Sequence, residues 1–478
     1  MYKHTKIYHF STVVLFFFAI YCSYSQESIP QKIKTGCLRS ASVSFLAVNL
    51  TTGDTISSFE PYTSLVPAST LKLITTATGL EIFSPNHRFT TYLAMQGKVN
   101  STGILNGNIF FIGGGDPALG SDRFPNIYIN PGFITQFVGS IKKAGIKQIN
   151  GQILFDNAYF SSNDVPDTWS WEDIGNYYGA AAHSLSFSEN TYRIHFSSGH
   201  HHGDPTLIKK VTPDVDGMTF TNQVYSSKVN KDLAYIFGCP LCKNRLIRGS
   251  IPKNRHNFVV KGSIPDPEYL LIKTFQEELK KQSITITNKS RNTINEKYNI
   301  IDSVQSPTLE KLMYETNMES VNLYAEHFLK HIGLRIDNTG STEGGCNSIT
   351  NFWQKRGMAI NGFFIEDGCG LSRFNAISAS HLVYILTSMY RESKHFDIFF
   401  HSLPVMGETG TLKYSGLNSK LKSRVHAKTG SMRRVRSMAG YLLNSRKEKI
   451  AFTLIINNYS CSGKEMKYLM TELLESLY

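Results

Sequence analysis

No apolar run in this sequence is long enough to cross a bilayer. The densest one, Val13 to Tyr21, stops well short of the roughly 20 residues a spanning helix needs. Acidic residues are the scarcer charge, 37 against 50 lysines and arginines, for a net charge of +13. The basic residues are dispersed and carry no nucleic-acid motif. The excess therefore suits an anionic surrounding, such as cell-wall polymer or a membrane surface, rather than nucleic acid. No P-loop or G-x-G-x-x-G turn is present. Gly113-Gly114-Gly115-Asp116-Pro117 follows a strand-like run, but no helix start follows it closely, and it reads as a tight turn. Cysteine is sparse, seven in 478 residues. Cys239-Pro240-Leu241-Cys242 has redox or metal-ligand spacing, with His200-His201-His202 upstream, yet a zinc site wants a second well-spaced pair. No metal or other cofactor is implied, and a local disulfide and two plain thiols both stay open.

What is present begins at the N-terminus. Lys3 and Lys6 precede the short apolar run, and Ser23-Tyr24-Ser25 follows it, the pattern of a secretory signal peptide over residues 1–25. Cys22 raises a lipoprotein site, but Ala19-Ile20-Tyr21 lacks the small residue such a site prefers. The mature chain is expected to be exported to the periplasm or cell envelope, with no transmembrane span and with six cysteines where disulfides are permitted. Its length exceeds one core, so two or three domains are expected.

The central stretch is Val66-Pro67-Ala68-Ser69-Thr70-Leu71-Lys72-Leu73-Ile74. Pro67 breaks what precedes it, and Ser69 falls at the mouth of a helix, among free backbone N–H groups. Lys72, three residues on, shares the face of Ser69. A hydroxyl becomes a nucleophile when a base is within hydrogen-bond reach, and a desolvated lysine beside a second cation can be that base. Alone the pair also fits a capping serine and a solvated lysine. The companions decide. Ser320-Val321-Asn322 lies between two helical runs, 308–317 and the amphipathic run through Leu323, Phe328 and Ile332. Arg424 to Ser431 alternates like a strand and contains Lys428-Thr429-Gly430. With Val435–Leu443 and Ile450–Asn457 it reads as an antiparallel meander, closed by a helix over 464–477. Its lysine and hydroxyl suit a carboxylate, and its glycine would let a substrate backbone lie close. Elsewhere, 38–60 reads as a hairpin and 160–260 as loop-rich with short strands. Asp266-Pro267 starts a helix with Asp266 as its cap, and 288–303 reads as a polar surface connection.

Ser-x-x-Lys, Ser-x-Asn and Lys-Thr-Gly, in that order and in those settings, resemble the penicillin-binding proteins and serine β-lactamases. The long gap from Ser69 to Ser320 narrows the resemblance. So do Gly113–Pro117, Tyr177-Tyr178-Gly179-Ala180, Gly262–Pro267, Asp367-Gly368-Cys369-Gly370-Leu371-Ser372-Arg373 and Gly410-Thr411-Leu412. These are similar to the S13 peptidases, D-alanyl-D-alanine carboxypeptidase/endopeptidases of the penicillin-binding protein 4 type. Cys369 departs from the serine usual there. The resemblance implies an α/β (α+β) fold: a β-lactamase/transpeptidase-like domain, an antiparallel sheet flanked by helices, interrupted by β-rich accessory domains. Its segments would be 26–88 and 263–478, the insertion 89–262, with a nested subdomain over 185–250. It further implies an acyl-enzyme on Ser69, with Lys72 as base, Ser320 relaying a proton and Asn322 orienting Lys72 and the substrate amide. Lys428 and Thr429 would hold the terminal carboxylate, Gly430 and Ser431 would line the substrate strand, and the Ser69 and Ser431 N–H groups would form the oxyanion hole. Arg373 and Asp156 would contact the peptide stem. The implied partners are peptidoglycan stem peptides and, as covalent inhibitors, β-lactams. A serine β-lactamase and a non-catalytic cell-wall binding protein are the alternatives. The long insertion speaks against the first and the intact motif triplet against the second.

Overall fold

The computed structural model describes residue 33 and residues 36–478, apart from 130–131, 162–164 and 288–296. The signal-peptide stretch and Cys22 lie outside the described residues. Among the described residues no helix is long and apolar enough to cross a membrane. The architecture is mixed α/β.

One antiparallel sheet joins both ends of the chain. Its order is Val425–Met432, Val435–Leu443, Lys449–Asn457, Ser42–Asn49 and Thr55–Phe59. The N-terminal hairpin docks on the last strand, with Ser42 opposite Asn457 and Asn49 opposite Ile450. Period-two alternation sends neighbouring residues of the last strand into different cores. Ala451 and Ile455 join the core that holds the helices Lys72–Phe83 and Ala379–Glu392. Ile450, Phe452, Leu454 and Ile456 pack with Met466, Met470 and Leu474 of the closing helix Gly463–Glu475. A disulfide between Cys37 and Cys461 ties the two ends together over a separation of 424 residues.

The insertion carries three further sheets. The largest runs Thr285–Ile286, Gln148–Asn150, Ile104–Ile112, Thr90–Val99 and Asn299–Gln305, with Ile153–Asp156 also paired to Ile104–Ile112. Residues 288–296 of the expected surface connection 288–303 lie outside the described residues, and 299–303 are therefore part of an edge strand. Their polar alternation fits a strand with one solvated face. The same sheet pairs Thr285–Ile286 and Asn299–Gln305, which the sequence assigned to the segment 263–478, with strands of the insertion. Residues 160–260, expected as loops with short strands, hold six strands of five to nine residues. These form two three-stranded sheets, Phe258–Ser263 with Thr191–Ser198 and Thr206–Thr212, and Leu233–Phe237 with Asn244–Pro252 and Thr219–Ser227. Cys239 and Cys242 form a local disulfide. Asp266 does stand before the helix Pro267–Lys281, but its side chain makes no cap bond and instead pairs with Lys243 at 3.2 Å.

The helix Asn322–Asp337 is buried from Leu323 to Gly333 because it runs between the catalytic half and the insertion. His327 Nδ1 and His331 Nε2 both donate to the Gly115 carbonyl, at 3.0 and 2.8 Å. Lys330 reaches the Ala182 carbonyl at 2.8 Å. The Gly-rich segment is thus a turn that receives a helix. Burial holds the imidazole of His331 down at about 3, against an ordinary 6.5. Between those values the unfolded chain binds a proton that the folded protein refuses, so this residue's contribution to stability falls as pH drops below 6.5. Relative to His331→Phe, the wild type should lose about 2 kcal/mol between pH 7.5 and pH 5 in urea unfolding. A pH-independent difference would contradict this.

Candidate active site

The turn that carries Ser69 is short and clamped. Ala68–Leu71 form one 3-10 turn that passes directly into the helix Lys72–Phe83. Ala68 takes a left-handed φ of 48°, rare outside glycine and common where function needs a strained backbone. The Pro67 carbonyl accepts from Thr70 Oγ1 at 2.8 Å and from Ser437 Oγ. Val66 exchanges two bonds with the Asn457 side chain, at 3.0 and 3.1 Å. Gly430 is glycine for the same reason. A Cβ there would stand 2.1 Å from Ser437 Oγ and 2.6 Å from the Pro67 carbonyl. The place of such a Cβ is taken by the protein's own turn.

Lys72 is fully buried. Its three ammonium donors go to Ser69 Oγ at 2.9 Å, Asn322 Oδ1 at 2.6 Å and the Cys369 carbonyl at 2.7 Å. Asn322 in turn donates through Nδ2 to the Tyr178 carbonyl at 2.7 Å. Ser320, at a left-handed φ of 61°, accepts from Lys428 Nζ at 2.9 Å. Lys428, also fully buried, donates to the Thr429 carbonyl at 2.9 Å. Thr429 Oγ1 meets Thr411 Oγ1 at 2.8 Å. The structure gathers these residues into two hydrogen-bonded groups, Ser69–Lys72–Asn322 and Ser320–Lys428–Thr429, whose Ser69 and Ser320 line the same cavities.

Burial dominates its electrostatics. It pushes the Lys72 ammonium below its ordinary range, against the pull of Cys369, Asp367 and Glu326. Burial, then the neighbouring Lys72, pushes Lys428 further down. A lysine so placed can be neutral when it meets a hydroxyl.

Beneath Lys72 lies the loop 367–370. Asp367 accepts from Gly370 N at 2.7 Å, Ser372 N at 2.6 Å, Asn375 Nδ2 at 2.9 Å and Trp169 Nε1 at 2.9 Å. Glu326 accepts from Gly368 N at 2.9 Å, and burial raises its carboxyl to about 8. Glu326, Asp367 and Cys369 place ligand-type atoms within 4.8 Å of one another. With Asp367 already taking four bonds and an ammonium alongside, this donor set orders the loop and is poorly suited to a metal ion.

Two cavities meet at Ser69, Ser320 and Ser431. The larger, about 840 Å³, also takes in Asn322, Tyr178 and Arg373. The smaller, about 280 Å³, holds Thr411, Thr429 and Gly430. Arg373 pairs with Glu172 at 2.7 Å on the cavity wall. Asp156 is not brought to the site. It accepts from Ala158 N at 3.0 Å and Tyr298 Oη at 3.1 Å and lines neither cavity, so it acts at a strand end. The carbonyls of Cys369 and Tyr178 were missed by sequence, since a backbone acceptor has no residue signature. Thr411 sat in a quoted motif without a role.

The D-Ala-D-Ala carboxypeptidase 3 (S13) family matches residues 25–477. The D-alanyl-D-alanine carboxypeptidase DacB of Haemophilus influenzae is 24% identical over 97% of this chain and 94% of its own. The penicillin-sensitive carboxypeptidase A of Dictyostelium discoideum is 27% identical over 83% of this chain and 78% of its own. Among solved structures, penicillin binding protein 4 (dacB) from H. influenzae superposes with a TM-score of 0.78 at 23% identity, covering 94% of this chain and 98% of that one.

Two outcomes follow from the geometry. If Lys72 is the base for Ser69, the rate of acylation by a chromogenic cephalosporin should rise with pH through a midpoint below the ordinary lysine value of 10.5, because burial pushes its ammonium down. A rate independent of pH from 5 to 10 would contradict it. Gly430→Ala should slow acylation by about 100-fold by displacing the Pro67–Ala68 turn, and should lower the melting temperature as well. An unimpaired rate would show that the turn tolerates the added methyl.

Proposed function

The chain belongs to the D-Ala-D-Ala carboxypeptidase 3 (S13) family, and on that premise we propose how its own residues remove the terminal D-alanine of a peptidoglycan stem peptide. The observation that carries the reading is the buried Lys72 ammonium, held at 2.9 Å from Ser69 Oγ by Asn322 and the Cys369 carbonyl. The substrate carboxylate sits in the smaller cavity against Lys428, Thr429 and Thr411. The penultimate carbonyl oxygen points between the N–H groups of Ser69 and Ser431, where charge develops. Neutral Lys72 takes the Ser69 proton as Oγ bonds to the carbonyl carbon. The Ser320 hydroxyl relays the proton taken up by Lys72 to the leaving nitrogen. The C–N bond breaks, D-alanine departs and an ester on Ser69 remains. Water then attacks the ester carbon, and the proton it loses passes to Oγ as the C–O bond opens.

The same ester forms when a β-lactam ring opens on Ser69, so covalent inhibition by penicillin is expected. Arg373 belongs to the stem-binding wall by its place in the larger cavity, and Asp156 takes no part. The catalytic domain comprises the sheet that joins the two chain ends, with the β-rich sheets inserted between Ser69 and Ser320. Residues 1–25 direct the protein to the cell envelope, in keeping with their basic start, short apolar run and small-residue site.

Purified protein should release D-alanine from an acyl-L-Lys-D-Ala-D-Ala tripeptide or a muramyl pentapeptide. Ser69→Ala should lose at least about 10³-fold in kcat. Equal release by the variant would overturn the assignment.

A further inference from the structure

The pair Cys239–Cys242 takes no part in the chemistry at Ser69, and it is built unlike the disulfide that joins the chain ends. Its sequence separation is 3, against 424 for Cys37–Cys461. Linking residues so close removes little freedom from the unfolded chain, so this bond adds little stability where the long one adds much. Cys239 is exposed and Cys242 half-buried. Within the turn, Cys242 N donates to the Cys239 carbonyl at 3.2 Å. Leu241, 75% exposed, takes a left-handed φ of 62° that a bulky side chain disfavours.

A cation stands beside this turn. Arg245 is 3% exposed and pairs with no carboxylate among the described residues. Its Nη1 donates to the Cys242 carbonyl, its Nη2 to the Ser263 carbonyl at 3.5 Å, and its Nε has no partner. A Cβ on Gly238 would lie 2.4 Å from Nη1, so the guanidinium rests against the backbone that enters Cys239. Arg245 and Cys239 also border one cavity of about 200 Å³. A buried guanidinium without an anion is costly, and a thiolate is the anion this turn can offer. A short path joins the turn to Ser69. Ile236, three residues before Cys239, donates its N–H to the Asn176 side chain at 3.1 Å and accepts from it at 3.3 Å. The Asn176 carbonyl accepts from Gly179 N at 2.8 Å, closing the 3-10 turn Tyr177–Gly179 whose Tyr178 carbonyl holds Asn322.

We infer that Cys239 and Cys242 are a reversible thiol–disulfide site, reduced by protein dithiols, and that their reduction slows acylation of Ser69. The second half rests on the peptidase reading. A thiolate of the incoming dithiol attacks the exposed Cys239 sulfur, the S–S bond breaks, and Cys242 leaves as a thiolate beside Arg245. The reductant's second thiolate then attacks its own sulfur in the mixed disulfide and releases Cys239. Two electrons pass to the pair with the two protons of the dithiol, that on Cys242 readily lost beside Arg245, and the reductant departs as its disulfide. Once opened, the turn no longer fixes the end of the strand Leu233–Phe237 against Asn176, and the Tyr178 carbonyl is held less firmly against Asn322.

The test titrates the mature protein with dithiothreitol under native conditions and maps free thiols by alkylation and peptide mass, which separates the pair from the buried free thiols Cys346 and Cys369. Cys239–Cys242 should open at a reductant concentration at least about tenfold below that which opens Cys37–Cys461. In the opened protein at pH 7, Arg245→Gln should slow alkylation of Cys242 by at least about fivefold, and Arg245→Lys, which keeps the charge, should slow it less. Reduction should slow acylation by benzylpenicillin by at least about threefold, and reoxidation should restore it. Cys239→Ser/Cys242→Ser, with a nearly unchanged melting temperature, should show the slow rate with or without reductant. Opening of both disulfides together, equal alkylation in Arg245→Gln, or an acylation rate indifferent to reduction would overturn the inference. If penicillin acylates the protein in neither state while the pair opens first and Arg245→Gln slows its alkylation, the thiol–disulfide site stands and the peptidase reading falls.

Discussion

A lysine sealed from solvent is the constraint on which the rest of this structure depends. An ammonium in a protein interior is costly unless each donor is met, and Lys72 meets all three with Ser69, Asn322 and the Cys369 carbonyl. Those partners come from three distant parts of the chain. The 3-10 turn supplies the serine, the helix Asn322–Asp337 the amide and the loop 367–370 the carbonyl. Each is secured in turn: the turn by Ser437 and Asn457, the helix by the Gly115 carbonyl, the loop by Asp367 and Glu326. Moving any one of them leaves a buried donor unsatisfied, a penalty of about 1–3 kcal/mol. The precision of the site follows from that penalty.

The insertion takes part in this arrangement. Its Tyr178 carbonyl orients the amide of Asn322, and its Trp169 holds Asp367. The accessory sheets therefore reach the nucleophile through one amide and the loop under Lys72 through one indole.

How much of this was legible depended on whether a feature was local. The three motifs, the turn before the helix and the antiparallel meander each rest on a few adjacent residues, and all appear where the sequence placed them. Features made by distant pairing were not legible. Asn299–Gln305 looks like a polar linker because an edge strand needs only one apolar face, and its partner strand, Thr90–Val99, is far away in sequence. The link from Cys37 to Cys461 had no local signal among six candidate cysteines. The crowding at Gly430 comes from Ser437 and Pro67, brought there by tertiary packing. The strand-end Asp156 was carried over by similarity, and its bonds to Ala158 and Tyr298 give it a local role instead.

The central claim is that Lys72 makes Ser69 a nucleophile. Intact-mass spectrometry after mixing with benzylpenicillin, followed over time for the wild type, Ser69→Ala and Lys72→Ala, tests it most directly. A lasting adduct of one penicillin on the wild type is predicted, with none on Ser69→Ala and formation slowed by at least about 10³-fold on Lys72→Ala. An adduct on Ser69→Ala, or an unchanged rate on Lys72→Ala, would contradict the account.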